Sequence, residues 1–245
     1  NWFKARGKVK QSYSIESATE QPCTHSFLDF GANVGDSLGK FIDAGLPDGC
    51  NGEGDIVGRY NITNGRVGKV SGRLNRMSKW ASLMMREASR QGGKTLNPEH
   101  YCYFGIEGNP AFTDRLRKLE SIVMRSEPRP VRQASFYTET VGAGHDGNAR
   151  LYLDTINRER NYWGSSLYAT HPDVVASAAE PVAVKAMTLT TVLRQTTSAH
   201  FGAHVLIKID IEGAEFALLN EAYDSGVLCG YASSAVRVDI LVELH

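Results

Sequence analysis

The chain has 245 residues with 27 basic and 27 acidic side chains, so no net field draws it to nucleic acid or anionic lipid. Hydrophobic residues at 42% and charged residues at 22% fit an ordinary globular fold, long enough for one large domain without requiring two. No apolar run approaches the roughly 18 residues that cross a bilayer, so no direct membrane insertion is expected of these residues, and no signal peptide is visible in them.

Along the chain, residues 1–25 begin basic (Lys4, Arg6, Lys8, Lys10) and read as a lead-in helix or arm. Ser26 to Phe30 reads as a strand running into a glycine turn, Gly31-Ala32-Asn33-Val34-Gly35, and a helix to Ala44. Glycine allows a sharp turn and close backbone approach to a ligand, and a helix N-terminus offers free N–H groups. Residues 46–98 read as an insertion: a glycine-punctuated loop, then a Met-rich helix from Leu74 to Ser89.

Tyr101 to Glu107 is a second buried strand ending in an acid, followed by a helix from Ala111 to Met124. Val131 to Val141 reads as a third strand. Ala149 to Asp154 and Val182 to Thr190 read as shorter strands around a polar, aromatic loop, Asn157 to Tyr168. His204 to Ile211 is a strong strand with a helix from Ala214 to about Tyr223, and Val236 to Leu244 is the last strand. This alternation predicts an α/β fold, a doubly wound and mainly parallel sheet with helices on both faces.

In such a sheet the ligand lies outside the carboxyl ends of the strands. Asp29, Glu107 and Asp210 with Glu212 all fall there. An acid after the second strand is placed to grip ribose hydroxyls. Lys208, Asp210 and Glu212 share one strand face, where burial costs several kcal/mol per charge unless the charges pair or line a cleft. An edge strand with one wet face is the plainer alternative.

Three ordered blocks, Leu28-Asp29-Phe30-Gly31-Ala32-Asn33-Val34-Gly35, Glu107-Gly108-Asn109-Pro110 and Ile207-Lys208-Ile209-Asp210-Ile211-Glu212-Gly213-Ala214-Glu215, resemble the signature blocks of FkbM-type methyltransferases. Glu243-Leu244-His245 is similar to that family's closing block. The resemblance implies a single class I, Rossmann-like domain that uses S-adenosylmethionine to methylate a hydroxyl, often on a sugar or glycan.

By position it implies Asp29, Gly31, Asn33 and Gly35 on the methionine side of the cofactor and Glu107 at the ribose, with Ala32, Asp36 and Gly108 also binding it. Val141 and Gly142 would lie at the adenine edge. Asp210, Glu212, Lys208 and His245 would be the catalytic group. Metal use stays open, with Asp210 a possible ligand; His145 and His171 are set aside as loop histidines. The expected partner is a small-molecule or glycan hydroxyl acceptor. From its residues, the Asn157 to Tyr168 loop offers Tyr162 and Trp163 to stack on a sugar ring and Arg158 and Arg160 to bind hydroxyls or an anionic group, a packed loop with solvated arginines being the alternative.

The sequence departs from the family at Thr188-Leu189-Thr190-Thr191, where Leu-Asp is usual, and in the insertion. It also stops after the fifth main strand, where this class adds a β-hairpin, so a longer protein is expected. Cys23, Cys50, Cys102 and Cys229 have no Cys-x-x-Cys, which argues against zinc; an even count fits two disulfides or four free thiols. With the chain opening on Asn1 and a sequon at Asn61-Ile62-Thr63, the compartment leans to a Golgi or secretory lumen, the cytoplasm being the alternative. Two other classes share the fold: an NAD-type oxidoreductase, whose usual G-x-G-x-x-G is missing here, and a non-catalytic binding domain.

Overall fold

The computed structural model describes residues 23–44, 97–178, 180–197 and 202–245. The basic arm and the insertion up to residue 96 lie outside these residues. The main sheet is built from β1 (His25–Phe30), β2 (Cys102–Glu107), β3 (Gln133–Thr138), β7 (His204–Ile209) and β8 (Arg237–Val242). Its order is β3-β2-β1-β7-β8 and every pairing is parallel. A smaller sheet, β4 (Thr140–Gly142), β6 (Val182–Met187) and β5 (Gly147–Leu151), sets β6 parallel to β4 and antiparallel to β5.

Successive side chains of a strand face opposite sides, so the central strands feed two cores. Leu28, Phe30, Phe104, Ile106, Val205, Ile207 and Ile209 meet one set of helices: α4 (Leu189–Thr196), α5 (Glu215–Asp224) and α6 (Val227–Ser233). Phe27, Tyr101, Tyr103 and Leu206 meet α1 (Asp36–Ala44) and α2 (Thr113–Arg125) through Leu38, Phe41, Leu116 and Leu119. A short α3 (Pro172–Ser177) lies between the strands of the small sheet in sequence.

This is the expected α/β architecture, a mainly parallel sheet in a Rossmann-like order. Three local expectations are corrected. Val131–Val141 is not one strand: Glu139 takes a positive φ of 54°, ending β3 and starting β4 in the other sheet. Val182–Thr190 stops at Met187, because the Thr188 hydroxyl accepts the Thr191 N–H and caps α4. β7 is no edge strand, since β1 and β8 flank it; it ends at Ile209, so Asp210 and Glu212 leave the sheet in a turn.

Cys23 and Cys102 form a disulfide between the starts of β1 and β2, at the edge opposite the glycine turn. Cys229 is free and exposed, and Cys50 falls outside the described residues. The bridge closes a separation of 79 residues, a long loop whose closure stabilises the fold by about 2–4 kcal/mol. Cys23→Ser is therefore expected to lower the unfolding free energy measured in urea by that amount and so bring the midpoint down, while Cys229→Ser leaves the midpoint where it was. Among the described residues, no helix is long and apolar enough to cross a membrane.

Candidate active site

The parallel register sets the first feature of the site. Asp29 on β1 pairs directly with Lys208 on β7, so both side chains leave the same face of the sheet. The Lys208 ammonium stands 3.3 Å from Asp29 Oδ1 and 3.1 Å from Asp210 Oδ2, and it donates to the Gly31 carbonyl at 3.4 Å. Burial works against its charge, but Asp29 and Asp210 outweigh that and raise its pKa. Asp29 is fully buried and also accepts the Tyr103 hydroxyl, a partner that sequence reasoning did not single out. The charges on the strand face are thus paired, as burial requires.

The glycine turn is held from both sides. Gly31 and Ala32 donate to the Ile106 carbonyl at 3.0 and 3.1 Å, and Asp210 N–H donates to the Phe30 carbonyl at 3.1 Å. Gly31 has φ +81°, and a Cβ there would stand 1.9 Å from the Asp210 carbonyl oxygen. Gly35, at φ +84°, would drive a Cβ to 2.4 Å from Leu119. Only glycine fits either place. Asp36 then opens α1, a negative charge in the first turn of a helix.

Glu107 joins this turn to the next. Its Oε2 accepts the Asn33 N–H and its Oε1 the Asn109 N–H, each at 2.7 Å. It caps the turn before Pro110 and also fixes the glycine loop. Burial pushes its carboxyl up to about 7, against the lowering effect of those two N–H groups. Asn33 adopts φ +50°; its side-chain N–H donates to the Asn161 carbonyl at 3.3 Å, and its Oδ1 is buried without a hydrogen-bond partner. Gly108 packs on Val141, where a Cβ would come within 2.4 Å of Val141 Cγ1. Gly142 is pressed instead against Phe30 and Leu218 of the core.

The second feature is a cluster of acids and imidazoles beyond β7 and β8. Glu243 N–H still donates to the Ile209 carbonyl, which carries His245 over the Asp210 turn. His245 Nε2 lies 3.3 Å from Asp210 Oδ1, and Nδ1 lies 3.2 Å from Glu212 Oε2. The hydrogen bond to Asp210 raises His245 to about 9, with Glu212 adding to it against burial. Burial tends to raise Asp210, but His245 and Lys208 hold it at about 2. Burial pushes Glu212 up to about 7, with His245 opposing and Asp210 assisting.

Both His245 and Glu212 bind protons more tightly folded than unfolded. Their linked stability is therefore present at low pH and lost as pH rises, through about 7 for Glu212 and about 9 for His245. In a chelator-containing buffer, the melting temperature is expected to fall between pH 6 and pH 9.5. His245→Gln should flatten the upper part of that fall, as differential scanning calorimetry would register.

Several residues to which the sequence reading gave no part in the site lie around it. Glu215, fully buried, accepts the N–H groups of Ile211 and Gly213 at 3.1 and 3.2 Å and so braces the strained Glu212, whose φ is +52°. An acid opening a helix just after a glycine is a cap signal that the sequence did carry. His171, set aside as a loop residue, comes within 3.7 Å of Glu212 Oε2. His145 is joined to none of these groups by a hydrogen bond or ion pair that the structure shows, but it flanks Asp146, which accepts from the Thr188 N–H and the Thr188 and Thr191 hydroxyls. A carboxylate from another segment thus serves the helix start where the family's usual acid is missing.

The aromatic loop reaches the same edge. Ser166, buried, donates to the Glu212 carbonyl at 2.6 Å, and Tyr168 lies against Gly213. Buried Asp154 organises the loop by accepting from Asn157, Gly164 and Ser177. Tyr162 packs edge-on to Phe112, while Trp163 and Tyr168 stay exposed. The arrangement as a whole is a glycine-built cradle beside a proton-binding cluster, on the edge where doubly wound folds take ligands.

A protein-family model described as Methyltransferase FkbM domain matches residues 29–245. No curated protein and no solved structure matches the chain.

Proposed function

This chain belongs to the FkbM methyltransferase family, and from that membership we propose that it is an S-adenosylmethionine-dependent O-methyltransferase acting on a hydroxyl of a sugar or glycan. It is a methyltransferase domain by its fold and family; the cofactor, the acceptor atom and the residue roles are our reading.

The residues fit the cofactor. Gly31 leaves no room for a side chain beneath the turn, and the buried, unpartnered Asn33 Oδ1 sits in the same turn. The Glu107 carboxylate spends one N–H bond on each oxygen and keeps further lone pairs for two ribose hydroxyls. When bound, S-adenosylmethionine would supply a methyl group for in-line transfer from its sulfonium sulfur to an alcohol oxygen, with S-adenosylhomocysteine as the leaving group. In this reading Asp29 and Lys208 hold the floor of the cleft rigid, and the glycine turn orients the methionine side. Val141 and Gly108 border the adenine edge. Asp210, Glu212 and His245 hold the acceptor oxygen and draw off its proton, the demand that separates O-methylation from binding alone. Trp163 and Tyr168 offer faces to a ring-shaped acceptor.

The observation that carries the reading is the contact of His245 with both Asp210 and Glu212 beside the glycine turn. The experiment is transfer of a labelled methyl group to a panel of glycans and simple glycosides, with the product mapped by mass spectrometry. Label on an oxygen supports the reading. Label on nitrogen or carbon alone overturns the acceptor class.

A further inference from the structure

We propose that Asp210, Glu212 and His245 form a binding site for one divalent cation of the Mg2+ or Mn2+ class. One donor atom from each residue can be chosen so that all lie within 4.8 Å of one another. The His245 ring stands 3.3 Å from Asp210 Oδ1 and 3.2 Å from Glu212 Oε2. Donors in an octahedral shell of radius about 2.1 Å are themselves about 3 Å apart, so the three side chains, which use one His245 nitrogen between them, must draw together from a spread of up to 4.8 Å to hold one ion. The residues come from two different strand ends, β7 and β8, and the backbone fixes both: Asp210 N–H is bound to Phe30 and Glu243 N–H to Ile209.

Charge is the independent argument. Asp29 and Glu215 are fully buried around this cluster, and Glu243 adds its field to Glu212. Lys208 is already shared between Asp29 and Asp210. Glu215 Oε2 is buried without a hydrogen-bond partner, and its charge acts on both Glu212 and His245. Carboxylates crowded in this way repel one another, and a dication that takes the place of the His245 proton adds one further positive charge among them. Two carboxylates and one nitrogen suit a hard cation that keeps open positions for water or an oxygen ligand. His171 lies against Glu212 with its Nδ1 buried and unpartnered, a neighbour that can fix the Glu212 oxygen in place.

The cation's use, holding an acceptor hydroxyl and lowering its pKa, rests on the methyl-transfer reading; its binding does not. The test is Mn2+ titration of the chelator-stripped full chain, with free Mn2+ read by electron paramagnetic resonance. One equivalent should bind, and Asp210→Asn, Glu212→Gln and His245→Gln should each weaken binding by about 10- to 100-fold. Asp239→Asn, at the amino half of β8, should leave it unchanged. Circular dichroism checks each variant; if Asp210→Asn does not fold, Glu212→Gln in its turn decides.

No saturable Mn2+ binding by the wild type, or equal binding by the folded variants, overturns the proposal. Methyl transfer at full rate in excess chelator overturns the cation's use in the reaction, while its binding is judged by the titration alone. Mn2+ binding that depends on these residues, with no methyl transfer to any hydroxyl, upholds the site and removes the acceptor reading.

Discussion

Gly31→Ala is expected to lower the melting temperature by on the order of 10 °C and to abolish cofactor binding in what remains folded. The added methyl would stand 1.9 Å from the Asp210 carbonyl oxygen, which is backbone and cannot swing aside as a side chain could. A positive φ of 81° adds conformational strain for any residue with a Cβ. Together these cost about 3 kcal/mol or more, and a domain of this size loses about 2–4 °C per kcal/mol. Relief requires β1 and β7 to part at their carboxyl ends, which breaks the Asp210 to Phe30 hydrogen bond and moves Asp29 from Lys208. Gly39→Ala is the contrast. Gly39 lies within α1 with nothing within 4 Å of a new Cβ, so the change should stabilise by about 0.5–1 kcal/mol. Equal tolerance at both positions, measured by calorimetry, would show that the turn is not built as described.

Asp210→Asn is expected to reduce methyl transfer by about 10³-fold or more with little change in secondary structure. The substitution keeps the side chain's shape but removes the charge that Lys208 and His245 share. Lys208 retains Asp29, so no buried ammonium is stranded and the fold should persist. His245 loses the hydrogen bond that most raises its pKa and keeps only Glu212. The decisive readout is the split between steps. S-adenosylmethionine affinity should change far less than turnover, because Asp210 touches the cofactor cradle only through its backbone and Lys208. A variant that loses affinity and keeps turnover at saturation would place Asp210 in cofactor binding instead.

The sheet was legible because β1, β2 and β7 are apolar runs bounded by acids and glycines, the pattern of buried parallel strands. Asp29 and Lys208 were legible as charges at strand ends, and the in-register pairing of β1 with β7 explains why both sit there. What failed was local. The positive φ of Glu139 that splits the third strand follows from the meeting of two sheets, and glutamate carries no signal for it. Helices α3 and α6 are too short, at six and seven residues, for periodicity to declare them. The Cys23–Cys102 pairing depends on β1 lying beside β2, a contact across 79 residues that spacing alone does not give. His171 and Ser166 reach Glu212 only because Asp154 shapes the loop that carries them.

The measurement that most directly tests the central claim is isothermal titration of the full chain with S-adenosylmethionine and, separately, with NAD. One equivalent of S-adenosylmethionine should bind and NAD should not. Glu107→Ala, which frees the Asn33 and Asn109 N–H groups and removes the ribose-side carboxylate, should weaken binding by about 100-fold. Binding of NAD without S-adenosylmethionine would contradict the account.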